Sequence, residues 1–276
     1  RPAALSTSQV DYLLRRLDIL IKAANTEYHV TVDMLRKDTK TKASARVILN
    51  ALHKYRFAKK YKGKSSAWWN NNVHAFLDGK HFKTYLTGTA RRLERGLCEA
   101  EEKPLAFNTG SKSALVMGAV GKGKMLLWHI VPSSRWTGQA AAEMYSGPLK
   151  AALEKAWPGK KRHLILEDND PTGFQSKKGK DAKSSGHIGT LAIPKRSPDL
   201  NPMDFAIWSE INKRLRRQER NWSKAKRESR AQYLTRLRRT ALRLSEAFVK
   251  KAVGDLRRRC QRLYEAKGNF FQEGGV

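Results

Sequence analysis

Between residues 73 and 215, short apolar runs alternate with amphipathic stretches, and two of the runs end in an aspartate. Val73-His74-Ala75-Phe76-Leu77-Asp78 reads as a short strand ending in a carboxylate. Residues 114–120 and 125–131 are apolar runs around Gly121-Lys122-Gly123-Lys124, the pattern of a β-hairpin and its turn. A helix is expected over residues 138–157, followed by Arg162-His163-Leu164-Ile165-Leu166-Glu167-Asp168, again a strand ending in acid. A Gly/Ser/Lys-rich loop at 172–189, a short strand at 191–193 and a helix opening at Asn201-Pro202 complete the run. Strand, hairpin, helix, strand, helix predicts an α/β fold, with residues 83–112 as a charged insertion of low periodicity.

The flanks read differently. Val10, Leu13, Leu14, Leu17 and Ile21 recur at helical spacing over residues 8–24, with Ser8 as the expected N-cap. Shorter helices are expected at 31–38 and 44–55, making residues 1–56 an all-α helix-turn-helix unit. On its last helix Ile48, Leu52 and Tyr55 would face the bundle, and Arg46, Asn50, His53 and Lys54 would point outward. Arg46 and Asn50 suit guanine and adenine edges, and the plain alternative is an ordinary polar face. Residues 57–72 are expected to form an irregular basic linker whose Lys59, Lys60 and Lys62 could track a phosphate backbone. The α/β part spans 73–226, and 227–276 reads as two basic amphipathic helices, the second capped by Ser245 and stopped by Gly268.

Composition narrows the partners. The 276 residues carry 56 Lys and Arg against 25 Asp and Glu, a net charge of +31 distributed along the whole length. That excess favours a polyanion, with salt-sensitive binding to nucleic acid through counterion release. Cys98 and Cys260 fit no zinc or disulfide spacing, which suits an intracellular, reducing location. There is no long apolar run and no leader, so neither membrane insertion nor secretion is expected. The chain opens at Arg1 and not at Met, which is compatible with a fragment of a longer chain.

The candidate chemistry lies in three aspartates. Asp204, Trp208, Ile211 and Leu215 follow a 4-3-4 spacing and share one helix face, so Asp204 is expected to point inward. Either a cation compensates that carboxylate, or Asp204 simply favours the helix N-terminus. Alternation puts Leu164, Leu166 and Asp168 on one side of their strand and Ile165 and Glu167 on the other. Asp170 and Asp199 read as turn residues, and Asp78 before Gly79 has its own reading as a turn. Three aspartates without a Cys/His cluster suit Mg²⁺ or Mn²⁺. Two such ions would serve in-line phosphodiester displacement.

Asp168-Asn169-Asp170-Pro171, then Ser197-Pro198-Asp199-Leu200-Asn201-Pro202-Met203-Asp204 with Trp208 after it, resembles the second and third acidic motifs of the mariner superfamily of DNA transposases. The intervening 35 residues (169–203) are close to that family's usual gap, and the third acid is Asp, as in the mariner branch. Phe76-Leu77-Asp78-Gly79-Lys80-His81-Phe82 resembles the first motif, with Gly79 where an acid is common. The resemblance covers roughly residues 30–276, and its SPDLNP element is the specific part. It implies a ribonuclease-H-like catalytic domain in which Asp78, Asp168 and Asp204 are catalytic and hold the metal ions. It further implies cleavage of transposon ends, strand transfer into target DNA, a homodimer working in the nucleus, and a dimer-clamping loop in the place of 83–112. Family members generally carry two helix-turn-helix units where one is visible here, and often a His beyond the DN pair. Here that loop is Lys-rich, and Lys177, Lys178 and Lys180 are candidates to contact DNA, the plain alternative being a mobile loop. Two other readings remain at this point: a decayed or domesticated DNA-binding descendant, and a structure-specific nuclease of the same fold.

Overall fold

A computed structural model of the chain describes residues 5–24, 30–82, 114–195, 197–219 and 228–269. The insertion expected at 83–112, and Cys98 within it, lie outside the described residues. Helices α1 (Thr7–Ala24), α2 (Val32–Thr39) and α3 (Ala45–Tyr61) form a bundle around Val10, Leu13, Leu35, Ile48 and Leu52. Thr31 and Ser44 cap α2 and α3 by accepting from backbone N–H groups. The cap of α1 is Ser6, whose hydroxyl accepts from Gln9 N–H at 3.2 Å, and not Ser8 as expected.

The stretch expected as an irregular linker is helical. α3 continues to Tyr61, and α4 (Ser66–Asn72) follows after a short turn, capped by Ser65. Apolar burial overrides the basic composition here: Phe57, Ala58 and Trp69 sit in the core that covers one face of the sheet. Half of α3 therefore belongs to the bundle and half to the α/β unit.

The α/β unit is built on β1 (Ala75–Phe82), β2 (Ala114–Gly121), β3 (Lys124–Ile130), β4 (His163–Glu167) and β5 (Ile188–Ala192), in the order β3-β2-β1-β4-β5. The first three strands are antiparallel neighbours, and β1, β4 and β5 run parallel. Lys122 and Gly123, both with positive φ, make the tight β2–β3 turn as a hairpin of this twist requires. Both sheet faces are covered, which is why the strands read as near-continuous apolar runs. Phe76, Val116, Val120 and Leu166 face one layer, and Leu77, Leu115, Met117 and Ile165 face the other.

The second layer holds α5 (Gly138–Met144), a π turn (Tyr145–Leu149) and α6 (Lys150–Ala156), together the single helix expected over 138–157. It also holds α7 (Lys177–Ser185), in the region expected to be a loop. Ser176 caps α7 and buried Ala182 anchors it, so local capping and one small apolar contact outweigh a composition that reads as loop. The first layer holds α8 (Trp208–Glu219), α9 (Arg230–Leu242), α10 (Glu246–Gly254) and α11 (Leu256–Glu265). The single terminal helix expected after Ser245 is thus two, parted at Gly254 and Asp255. A Cβ at Gly254 would lie 3.0 Å from that of Ser66 on α4, so the close approach of α4 selects glycine. Gly268 ends α11 with φ 79°, where a Cβ would lie 2.2 Å from Ala51 O of α3.

Candidate active site

The parallel pairing of β1 and β4 decides where two of the acids stand. Ala75 lies opposite Ile165 and Phe76 opposite Leu166. Two residues further along each strand come Asp78 and Asp168, on the same face and at the same edge. Asp78 is not at the end of its strand, as the sequence suggests, but within it, because β1 continues to Phe82 along β2. Asp168 falls one residue beyond β4.

The third acid arrives on the segment that follows β5. Pro198–Leu200 forms a 3-10 turn, and the side chain of buried Asn201 donates to Leu77 O of β1 at 3.0 Å and accepts from Met203 N–H at 3.1 Å. This ties the segment to the strand that carries Asp78. A π turn over Met203–Ile207 then leads into α8, with Trp208 N–H bonding Met203 O. Trp208, Ile211 and Leu215 are buried as their spacing predicts, while Asp204, inside the π turn, is half-buried close to Asp78. The indole of Trp208 donates to Asp78 Oδ2 at 2.7 Å.

The three carboxylates feel one another. Burial pushes Asp78 up, opposed by the Trp208 hydrogen bond, with the charge of Asp168 adding to the rise. Burial, then the charge of Asp78, push the Asp204 carboxyl up to about 7, against the pull of Lys80. Burial also raises Asp168, which the Asn169 N–H and the charge of Lys195 oppose. Among the described residues no three of His, Cys, Asp and Glu form a closed metal-ligand group, although the charges of Asp78 and Asp168 both act on Asp204. The donors are all carboxylate oxygens, a set that fits a hard divalent cation.

Glu167 points into the other layer, fully buried, where Tyr145 and Lys183 both donate to it. Lys183 also donates to Phe174 O at 2.9 Å. This network anchors the segment after Asp168 to α7 and the π turn. Asp170 accepts from Thr172 and Gly173 N–H groups, the turn role expected of it.

The expected DNA contacts divide. Along α3, Arg46, Leu49, His53, Arg56 and Lys60 form one exposed stripe, and Lys59 is exposed beside it. Asn50 is half-buried at its margin. Lys54 does not point outward: it pairs with Asp199 at 3.8 Å, because the helix face turns toward the SPDLNP segment there. Lys62 lies 3.5 Å from the ring centre of Tyr264, committed to a cation–π contact. Lys177, Lys178 and Lys180 are exposed, on α7. Sequence reading passed over Arg56, which the 46-49-53-56-60 spacing shows, and Lys80, which alternation places beside Asp78. It also passed over Lys195, which only the fold brings to the site.

The strand order, with the acids at the carboxyl edge of the parallel strands, defines a ribonuclease-H-like α/β domain. No protein family and no curated protein matches the sequence. Solved structures do match: the catalytic domain of Mos1 transposase with Raltegravir and Mg superposes with a TM-score of 0.61 at 13% identity, over 84% of this chain and 100% of that one. A Mos1 paired-end complex with the left transposon end gives 0.62 at 14% identity, over 99% of this chain and 81% of that one. The Mos1 strand transfer complex gives 0.59 at 13% over the same shares. At such identities the likeness is one of fold.

Proposed function

We propose that this chain is a metal-dependent DNA transposase of the mariner type, cleaving transposon ends and joining them to target DNA. The observation that carries the reading is the meeting of Asp78, Asp168 and the Asp204 segment at one sheet edge, set by the β1–β4 register and by Asn201 bonding to Leu77 of β1. Asp78, Asp168 and Asp204 would hold two Mg²⁺ or Mn²⁺ ions, the metals present in Mos1 structures. Bound there, such ions activate a water or 3′ hydroxyl and stabilise the leaving oxygen of an in-line displacement. The chain's own groups prepare the site. Trp208 fixes the orientation of Asp78, the Asn169 N–H donates to Asp168 Oδ1 at 2.6 Å, and Asn201 keeps the Asp204 segment on β1.

The exposed stripe of α3 and the overall charge would engage double-stranded DNA, both transposon ends and target; one of the similar Mos1 structures is a paired-end complex with the left transposon end. A homodimer, acting in the nucleus, follows from the same reading. A second reading, a descendant that binds DNA without cutting, is favoured by the lack of a closed three-acid group among the described residues. Incubating the chain with DNA bearing its own terminal repeats, in Mg²⁺ or Mn²⁺, separates the two. The transposase nicks and joins, and Asp168→Ala abolishes both; equal products from wild type and variant would sink the catalytic reading. DNA binding without products would leave the binding protein. Cleavage without sequence preference or joined products would indicate a structure-specific nuclease.

A further inference from the structure

Resting on the reading of the site as one that cuts DNA, the geometry points to Lys80 and Lys195 as phosphate-holding residues on its two flanks. The backbone would run from α3 over Lys195 to the Asp78–Asp204 pair and leave past Lys80. Lys80 is two residues beyond Asp78 on β1, so the two side chains stand on the same face. It is half-buried, and its charge acts on Asp204. Lys195 follows β5, where Ile193 N–H bonds Glu167 O at 3.2 Å and sets this segment beside Asp168. It is exposed, and its charge acts both on Asp168 and on His53 of the α3 stripe.

Other lysines of the core are committed: Lys54 to Asp199, Lys62 to the Tyr264 ring, and Lys183 to Glu167. Among the described residues neither the Lys80 nor the Lys195 side chain closes an ion pair or a hydrogen bond, although each stands near an acid. A cluster of carboxylates repels the phosphate it must receive, and cations placed beside it offset that repulsion while leaving the acid oxygens open. Lysine, a compact point charge on a flexible stem, suits this task.

The test is a salt titration of binding to a mixed-sequence DNA duplex, followed by fluorescence anisotropy. Removing one lysine–phosphate interaction lowers the magnitude of the slope of log K against log salt by about 0.9. Lys195→Gln and Lys80→Gln are expected to lower it by about that amount each, and the double variant by about twice as much. Lys195→Arg and Lys80→Arg are expected to restore it. Lys124→Gln, at the β2–β3 turn on the opposite edge of the sheet, serves as the control and keeps the wild-type slope. If the two lysines only balance carboxylate charge, the glutamine variants bind Mn²⁺ alone more tightly and keep the wild-type slope; that overturns the assignment. If wild type cuts DNA and the slopes still do not move, the lysine assignment alone falls. Failure of wild type to bind any DNA removes both this assignment and the proposed function.

Discussion

Asp204 bears a carboxyl that ionises at about 7 in the fold against an ordinary value of 3.8, because it is buried beside the charge of Asp78. A folded-state value raised in this way makes a contribution to stability that is complete below the ordinary value and lost as pH rises through about 7. Thermal melts of the metal-free protein should therefore show Asp204→Asn flattening the decline between about pH 4 and 7 and melting above wild type at pH 8, while losing cleavage. An unchanged pH profile would show that Asp204 is not the strained acid. Burial raises the Glu167 carboxyl as well, against the pull of Lys183 and the Tyr145 hydrogen bond. It is buried with Lys183 and Tyr145 as partners, so Lys183→Met leaves a carboxylate without its cation and should cost about 3–5 kcal/mol in urea unfolding. Residue identity alone could not rank these acids: Asp168 and Glu167 are adjacent, and strand alternation separated them only by assigning each to a layer. The sequence reading of Lys54 as outward failed for a related reason, since its partner Asp199 lies far along the chain.

At the scale of elements, α3 and α8 matter most. α3 is shared between two cores, with Ile48 and Leu52 in the bundle and Phe57 and Ala58 against the sheet. α11 fastens the same junction: Tyr264 stacks on Tyr55 with ring centres 5.2 Å apart, and Lys267 pairs with Asp11 of α1 at 3.3 Å. Phe57→Ala should cost about 3–5 kcal/mol in denaturant unfolding, the range for truncating a buried aromatic. A reduction below about 1 kcal/mol would mean that the two cores do not share this helix. α8 meets β2 at Gly118, where a Cβ would fall 2.6 Å from Trp208 Cη2. Gly118→Ala should displace the indole that donates to Asp78, costing about 1–3 kcal/mol and lowering cleavage more than DNA binding. Nicking and anisotropy assays on one preparation would check that split. Strands, hairpin and the helix after SPDLNP were legible because their apolar periods are strong. The helical continuation of α3, α4 and α7 were not, because each is polar or basic in composition and is held by a cap and a few buried contacts.

For the whole molecule, a net charge of +31 on 276 residues is excessive for folding and useful for holding a polyanion. If about 6–10 phosphates are contacted, affinity should fall by roughly 10³–10⁵ between 50 and 200 mM salt, measurable by anisotropy on any duplex. A flat salt dependence would contradict the interface drawn along α3.

The sequence by itself determined the α/β class, the two-faced strands, the SPDLNP segment and the candidate acids, because periodicity and short motifs are local properties. Only the tertiary structure decided how the acids meet. The parallel register of β1 and β4, Asn201 bonding across to Leu77, and the π turn before Trp208 join residues far apart in the chain, and no local pattern specifies such pairings. The placement of the Lys195 segment beside Asp168 belongs to the same long-range geometry.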